Sequence, residues 1–591
     1  MAAHPEAVES LPGAWLAPPE ASPGMFRRTW LQAGHGLSLS QLILVLVLGL
    51  ATLLPLAYLL ANSFNLAPPT QASFVFGFGN WTAAYANPDT VRSIWTTVWL
   101  AAARTAIALP VAILFAWLIA RTNMPGGAIV EFGMWVAYSL PVLSLVMGWI
   151  LLLDPKSGLV NVLLGRLPFG RGAALDIYSY WGIIWLHLVT RSIPILVILM
   201  VPAFRRVGAR LEEVSRMCGA SRITTLARVT APVLAPAIAP LAILSFLAGL
   251  QSLDIELIIG IPAGIFVYGT RIYNLVGADK PQYGAATALG AAVLLILLLL
   301  AVVSTRLLRN REYTTVNSDF STARVDLGPL RWLWFALCML FLAVGIVVPT
   351  AATILASAMT RFGFFDIKNP YTSRYWGDVF HDANFTLSLR NSVLLGLAAA
   401  VIGVILYTWA AHASLRHRGT TVRAIDFLAW IPRGIPGVLL SLALLWLFLT
   451  TPLRAVLYGT LFGMAIAVVI NSLPTGVQLA KSSLIQIGHE MEDASRMCGA
   501  SGSRTATQVL LPLMSPMLFT VGALVFVQAL SEFSQIVLIY APGSQPLSIL
   551  MLQYIVSGQV ERGAVLGVFM TAIVACLALG ARFLSRKLGP K

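Results

Sequence analysis

Long apolar runs recur along the chain, separated by short polar segments. Twelve predict membrane-crossing helices: 41–62, 93–120, 128–153, 179–204, 236–260 and 283–308, then 331–356, 386–413, 423–450, 455–480, 516–540 and 563–585. Each is close to the roughly 20 apolar residues a helix needs to cross a hydrocarbon core. Several contain proline (Pro55, Pro110, Pro141, Pro194, Pro432, Pro436, Pro474). Bundled membrane helices tolerate this because neighbours satisfy the freed carbonyls. The first run is long for a signal-peptide core and has no clear small-residue cleavage site, so it predicts a retained helix. Residues 1–38 are polar and rich in Pro, Gly and Ala, and predict a disordered tail. Residues 309–330 are basic and polar and predict a linker between two membrane units, 39–308 and 331–591.

Composition agrees with this pattern. Of 591 residues, 58% are hydrophobic and 11% charged, with mean hydropathy +0.82. A soluble domain has too little interior to hide so much apolar surface. The net charge of +15 does not indicate nucleic acid, because Lys and Arg sit at the ends of apolar runs and form no soluble basic block. With both termini in the cytoplasm, inside segments carry Lys and Arg over outside loops by roughly two to one, as the positive-inside rule requires. The four cysteines (Cys218, Cys338, Cys498, Cys576) form no CxxC pair and give no disulfide or zinc framework.

The chain repeats itself. Residues 211–221 read LEEVSRMCGAS and residues 491–501 read MEDASRMCGAS, an offset of 280. The register persists outside this stretch: Pro194 matches Pro474, Pro232 matches Pro512, Pro236 matches Pro516, Phe246 matches Phe526 and Pro262 matches Pro542. Duplication holds such register and shared composition does not. Both copies fall in the loop after the fourth run of their unit (205–232 and 481–512). The units therefore form a parallel repeat about an axis along the membrane normal, with a central pathway between them. The first loop places Leu211, Val214, Met217 and Cys218 on one helical face, and the second places Leu484, Ile487, Met491, Ala494, Met497 and Cys498 on one face. Gly219 and Gly499 permit a sharp turn between two short helices. An apolar face with acidic neighbours suits a protein socket better than an anionic lipid surface.

These loops resemble the EAA motif of binding-protein-dependent ABC importers, with matching elements Glu213-Val214-Ser215, Gly219 and Ala231-Pro232 in one copy and Asp493-Ala494-Ser495, Gly499 and Leu511-Pro512 in the other. The alanines are partly replaced by Val and Ser. The resemblance implies an all-α polytopic fold of about 12 transmembrane helices in two parallel six-helix repeats, in a bacterial cytoplasmic membrane. It assigns ATPase coupling to Glu212, Glu213, Ser215, Gly219 and Ala220, and to Glu492, Asp493, Ser495, Gly499 and Ala500. The chain has no G-x-x-x-x-G-K-[ST] loop, so the resemblance implies a separate cytoplasmic ATPase, a homodimer with one copy per half that carries the ATP and Mg. It also implies an extracytoplasmic solute-binding protein, lipid around the bundle, and no cofactor or nucleic acid bound by this chain. It is strongest to ferric-iron permeases, with thiamine, phosphonate and polyamine importers as alternatives. An ion-coupled secondary transporter is the alternative from another class, but it would not need paired docking loops.

Ionisable residues inside the runs are few and informative. Asp254 and Glu256 lie toward the end of the fifth run and Glu532 in the eleventh, at matched places. Hard oxygen ligands suit a hard cation such as Fe³⁺. The same carboxylates could instead cap helices or pair with Arg191 or Arg433, and Arg104, Arg191 and Arg433 keep an anionic cargo open. Pro141 and Pro432 are further candidates for the translocation path. His187, His412 and His417 sit in no HxxxH or HExxH pattern, so no metal site is expected, and no nucleophile–base pair suggests catalysis.

Overall fold

The computed structural model describes residues 39–67, 73–166, 175–205, 214–215, 217–309, 325–417, 419–487 and 490–588. The expected 1–38 tail, most of the 309–330 linker, and Glu212 and Glu213 lie outside the described residues. The first half comprises α1 (Leu39–Asn62), α2 (Pro88–Arg121), α3 (Gly127–Ser139), α4 (Val142–Leu153), α5 (Tyr180–Arg205), α6 (Leu226–Leu250) and α7 (Tyr283–Arg309). The second comprises α8 (Leu330–Ser357), α9 (Ala383–Arg416), α10 (Thr420–Gly434), α11 (Gly437–Thr450), α12 (Leu461–Ile487), the short α13 (Glu490–Met497), α14 (Ala506–Ser531) and α15 (Val560–Leu588). Among the described residues, ten helices are long and apolar enough to cross a membrane as continuous spans, and two bent pairs bring the number to as many as twelve.

The third and ninth runs are those pairs. α3 and α4 meet at 95°, and α10 and α11 at 110°. Pro141 and Pro436 stand immediately before α4 and α11 with extended ψ values of 120° and 142°. A proline cannot donate to the carbonyl four residues back and clashes with it, so the chain turns and starts a new helix. Hydropathy alone reads through such a corner as one span.

Prolines also leave a finer mark. Wide π turns occupy Leu188–Ser192, Leu226–Thr230, Glu256–Gly260, Ala343–Val347 and Ala506–Leu510, and each ends two residues before a proline: Pro194, Pro232, Pro262, Pro349 and Pro512. The residue preceding each proline donates its N–H five positions back, as Ile193 does to Leu188 and Ala231 to Leu226. The wider turn moves the obstructed carbonyl aside without ending the hydrogen-bonded backbone.

The fifth and eleventh spans run Leu226–Leu250 and Ala506–Ser531, starting and ending about ten residues earlier than expected. Arg228 and the surrounding prolines dilute the hydropathy where these helices begin. The correction matters because these acids stand beyond the ends of the two spans, Asp254 and Glu256 in a short helical turn that opens into the π turn Glu256–Gly260 and Glu532 in extended backbone after Ser531.

Within a half, α2 packs on α5 and α6 as α9 packs on α12 and α14. Between halves the packing is crossed. α4 lies against α8 and α15 of the second half, while α10 and α11 lie against α1 of the first. Every residue from Val142 to Leu152 and from Val438 to Phe448 is buried. Polar contacts fix the crossing: Ser144 Oγ donates to the Gly567 carbonyl (2.9 Å), Thr353 Oγ1 to the Ser144 carbonyl (2.8 Å), and Trp446 Nε1 to Thr287 Oγ1 (2.5 Å).

Gly148 is where α4 meets α8. A Cβ there would stand 2.0 Å from the Pro349 carbonyl oxygen, so backbone would have to move, an overpacking cost of about 1–3 kcal/mol or more. Gly148→Ala should lower the melting temperature in detergent and reduce the monodisperse fraction by fluorescence-detected size exclusion. Gly49→Ala on α1, where nothing lies within 4 Å, should leave both unchanged or improved.

Candidate functional site

The break ends of both halves converge on a central cavity of about 310 Å³. Its first-half wall includes Arg104 from α2, Tyr138 from α3, His187 and Arg191 from α5, and Ser252 and Asp254 from the segment after α6. Its second-half wall includes Pro432, Arg433, Asn471, Gln528, Glu532 and Ser534. Of the expected path residues, Asp254, Glu532 and Pro432 therefore line one space. Pro141 lies at the corner between the lining residues Tyr138 and Val142 and is buried. Glu256 lies behind the wall, fully buried.

Two ionic groups organise the wall. The Glu256 carboxylate accepts from Ser252 Oγ, pairs with His187 Nε2 at 2.9 Å and faces Arg104 Nη1 at 3.9 Å. Gly249 makes the room for Arg104, since a Cβ there would stand 2.8 Å from the guanidinium. Arg191 Nη1 donates to Glu532 Oε1 at 3.0 Å, joining the halves, and Arg191 also stacks on Tyr138. Gln251 Nε2 makes a second bridge, to the Arg433 carbonyl at 3.0 Å. The sequence suggested an Arg191 partner for these acids. It did not reveal Arg104 and His187 as partners of Glu256, because they stand on different helices at no motif spacing. The one available signal was that each is a rare ionisable residue inside an apolar run.

The repeated loops lie at one end of the bundle, the end that also holds Arg121, Glu131 and Arg416. In both, the chain turns at a glycine with left-handed backbone, φ +84° at Gly219 and +80° at Gly499. The N–H groups of Ala220 and Ala500 return to the Ser215 and Ser495 carbonyls at 3.2 and 3.1 Å. The two serine hydroxyls reach across to Thr225 (3.0 Å) and Thr505 (2.9 Å) in the next short helix. The expected loop serines, glycines and alanines thus build the same corner twice. Met217 and Met497 project from it, 88% and 90% exposed.

Glu492 departs from expectation. It is turned inward, buried against its own half, with Arg416 Nε at 2.6 Å from Oε1 and His412 Nε2 at 3.6 Å from Oε2. Asp493 is exposed. Helical geometry separates adjacent residues by about 100°, so only one of the two acids can face out. Behind the loops, Arg205 pairs with Glu131 and Lys481 with Asp426, bracing the fourth span of each half against the third.

A family model described as binding-protein-dependent transport system inner membrane component matches residues 108–313 and again 392–591. The chain is 25% identical over 497 residues to "Probable ABC transporter permease protein y4fN" of Sinorhizobium fredii, covering 82% of this chain and 85% of that one. It is 24% identical over 409 residues to the ferric transport system permease protein FbpB of Actinobacillus pleuropneumoniae, covering 67% of this chain and 58% of the relative. It is 24% identical over 240 residues to PhnV of Salmonella typhimurium, a permease protein named for a 2-aminoethylphosphonate transport system, covering 41% and 89%. A solved bacterial alginate ABC transporter in complex with a pentasaccharide-bound periplasmic protein superposes with TM-score 0.39 at 20% identity, over 50% of this chain and 99% of that one.

Removing one member of a buried ion pair costs about 3–5 kcal/mol. Glu492→Gln should therefore loosen α13 from α9. Tryptic cleavage at the exposed Arg496 should accelerate severalfold in the variant, with the rest of the bundle intact by size exclusion.

Proposed function

The chain belongs to the binding-protein-dependent transport system inner membrane components, and on that premise we propose that it is a permease subunit supplying both transmembrane halves of an ATP-driven importer. The observation that carries the reading is the pair of matched corners, Gly219 with Met217 and Gly499 with Met497, at one end of a two-half bundle. They are two equivalent plugs for the grooves of two equivalent ATPase subunits, which hold the ATP and Mg. The corner end then faces the cytoplasm, both termini are cytoplasmic, and a solute-binding protein delivers cargo to the opposite face of a bacterial inner membrane. Closure of the ATPase dimer draws the corners together and the halves pivot around the central cavity.

Two carry-overs from the relatives compete for the cargo. FbpB supports ferric iron, the cargo expected from the sequence; PhnV supports a phosphonate. The cavity favours the second. Three guanidiniums (Arg104, Arg191, Arg433) line it, and Arg191 holds the Glu532 carboxylate while His187 and Arg104 hold Glu256. The carboxylates Asp254, Glu532 and Glu256 match those guanidiniums in number, so the field is mixed in sign. Arg433, which no carboxylate pairs among the described residues, gives an acid group an anchor that a bare trivalent cation cannot use.

Proline fixes φ near −65° and cannot adopt the positive φ of either corner. Gly219→Pro with Gly499→Pro should abolish uptake while the protein still reaches the membrane in normal amount. Wild-type uptake by that double variant overturns the docking assignment. Cells carrying the complete importer should accumulate radiolabelled 2-aminoethylphosphonate; accumulation of ⁵⁵Fe instead restores ferric iron.

A further inference from the structure

The two halves share their corners but not their cavity walls. Superposing the 34-residue helices α2 and α9 end on end places Ala399 where the first half has Arg104. The repeat offset likewise places Ala467 at the position of His187 and Ile536 at that of Glu256. A buried charge inside a membrane protein is expensive. The first half keeps three ionisable groups, and the second fills the matched places with apolar side chains, all buried. Their location points to the cavity, since Arg104 and His187 line it and Glu256 holds both.

Pairing leaves two charges over. Arg104 and His187 share Glu256, and Arg191 binds Glu532. Asp254 lies in the field of Arg191, which Glu532 already occupies at 3.0 Å, and Asp254 has no ion-pair partner of its own among the described residues. Arg433, from the second half, stacks near Trp430 with its Nε buried and without a hydrogen-bond partner. No carboxylate pairs with it among the described residues. A free cation from one half and a free carboxylate from the other therefore face the same cavity of about 310 Å³, near the lower end of small-ligand pockets at roughly 300–1,000 Å³.

We propose that this cavity is a cargo site for a small zwitterion, with Arg433 receiving its phosphonate or carboxylate and Asp254 its ammonium. The inference rests on the permease reading above and gives it a substrate class. Neutral hydrogen-bonding groups, Asn471, Gln528 and Ser534, complete the second-half wall. Because each charge belongs to a different half, the site is whole only while the halves hold their present spacing. Pivoting separates Arg433 from Asp254 and weakens both contacts at once, so the motion that opens the path also releases the ligand.

The test uses the purified permease–ATPase complex in nanodiscs and radiolabelled 2-aminoethylphosphonate, with ethylphosphonate, lacking the amine, and ferric citrate as competitors. The wild-type complex should bind the probe and prefer it over ethylphosphonate by about tenfold, the scale of one well-placed charge contact. Asp254→Asn should bring that preference close to unity while retaining ethylphosphonate binding. Arg433→Met should weaken both phosphonates about tenfold, with partial rescue by Arg433→Lys. Absence of probe binding to the wild-type complex, equal affinity for the two phosphonates, or displacement by ferric citrate overturns the proposal, and none of these depends on a variant folding. Failure of the ATPase to co-purify would overturn the permease reading instead, so the two failures are separable.

Discussion

Lipid offers no hydrogen bonds to an open backbone, so any break in a membrane helix must be enclosed by protein. This chain breaks two helices, at Pro141 and Pro436, and each half encloses the other's broken piece. α4 is buried between α8 and α15, and α11 packs on α1. Gly148, with the Pro349 carbonyl at its Cβ position, and Ser144, bonded to Gly567, Thr353 and Thr571, show how close that enclosure is. The halves are consequently interlocked. Neither presents a finished surface without its partner, which explains why a covalent fusion of the two suits this architecture.

Interlocking limits the available motion. The crossed helices hold the halves together, and the polar contacts between them are unevenly distributed. Near the crossing, apolar packing is joined by the polar bonds of Ser144, Thr353 and Trp446. At the cavity they reduce to a few directional bridges between halves, Arg191 to Glu532 and Gln251 to the Arg433 carbonyl. At the corner end each half is braced internally, by Glu131 with Arg205, Asp426 with Lys481, and Glu492 with Arg416. Each half is thus fixed internally at its corner end, while the bridges that join it to the other half lie at the cavity and the crossing.

The sequence displayed the duplication, the apolar spans and the corner glycines because each is written locally. Seven identical residues at a fixed offset, about 20 apolar residues in a row, or a glycine after an amphipathic turn need no knowledge of the fold. The corners at Pro141 and Pro436 escaped because hydropathy is blind to direction. The ten-residue displacement of α6 and α14 escaped because the widened turns before Pro232 and Pro512 carry Arg228 and Gln508, which lower hydropathy without ending the helix. Glu256 was visible as a rare buried acid, but its partners Arg104 and His187 are distant in sequence, and no periodicity connects three helices. The inward turn of Glu492 depended on Arg416, which belongs to a different span.

Duplication also separates two kinds of constraint. A feature that serves identical partners has reason to stay identical, and the corners have: Ser215 and Ser495 bond Thr225 and Thr505 at nearly equal distances, and their glycines share one backbone conformation. A feature that serves one asymmetric molecule on the pseudo-symmetry axis has no such reason, because a small cargo cannot present the same group to both halves. The groups at and behind the cavity wall have diverged, from Arg104, His187 and Glu256 in the first half to the buried Ala399, Ala467 and Ile536 at the matched places in the second. On the proposed function, the retained symmetry at the corners fits two like motor subunits and the lost symmetry at the cavity fits a single ligand with unlike ends.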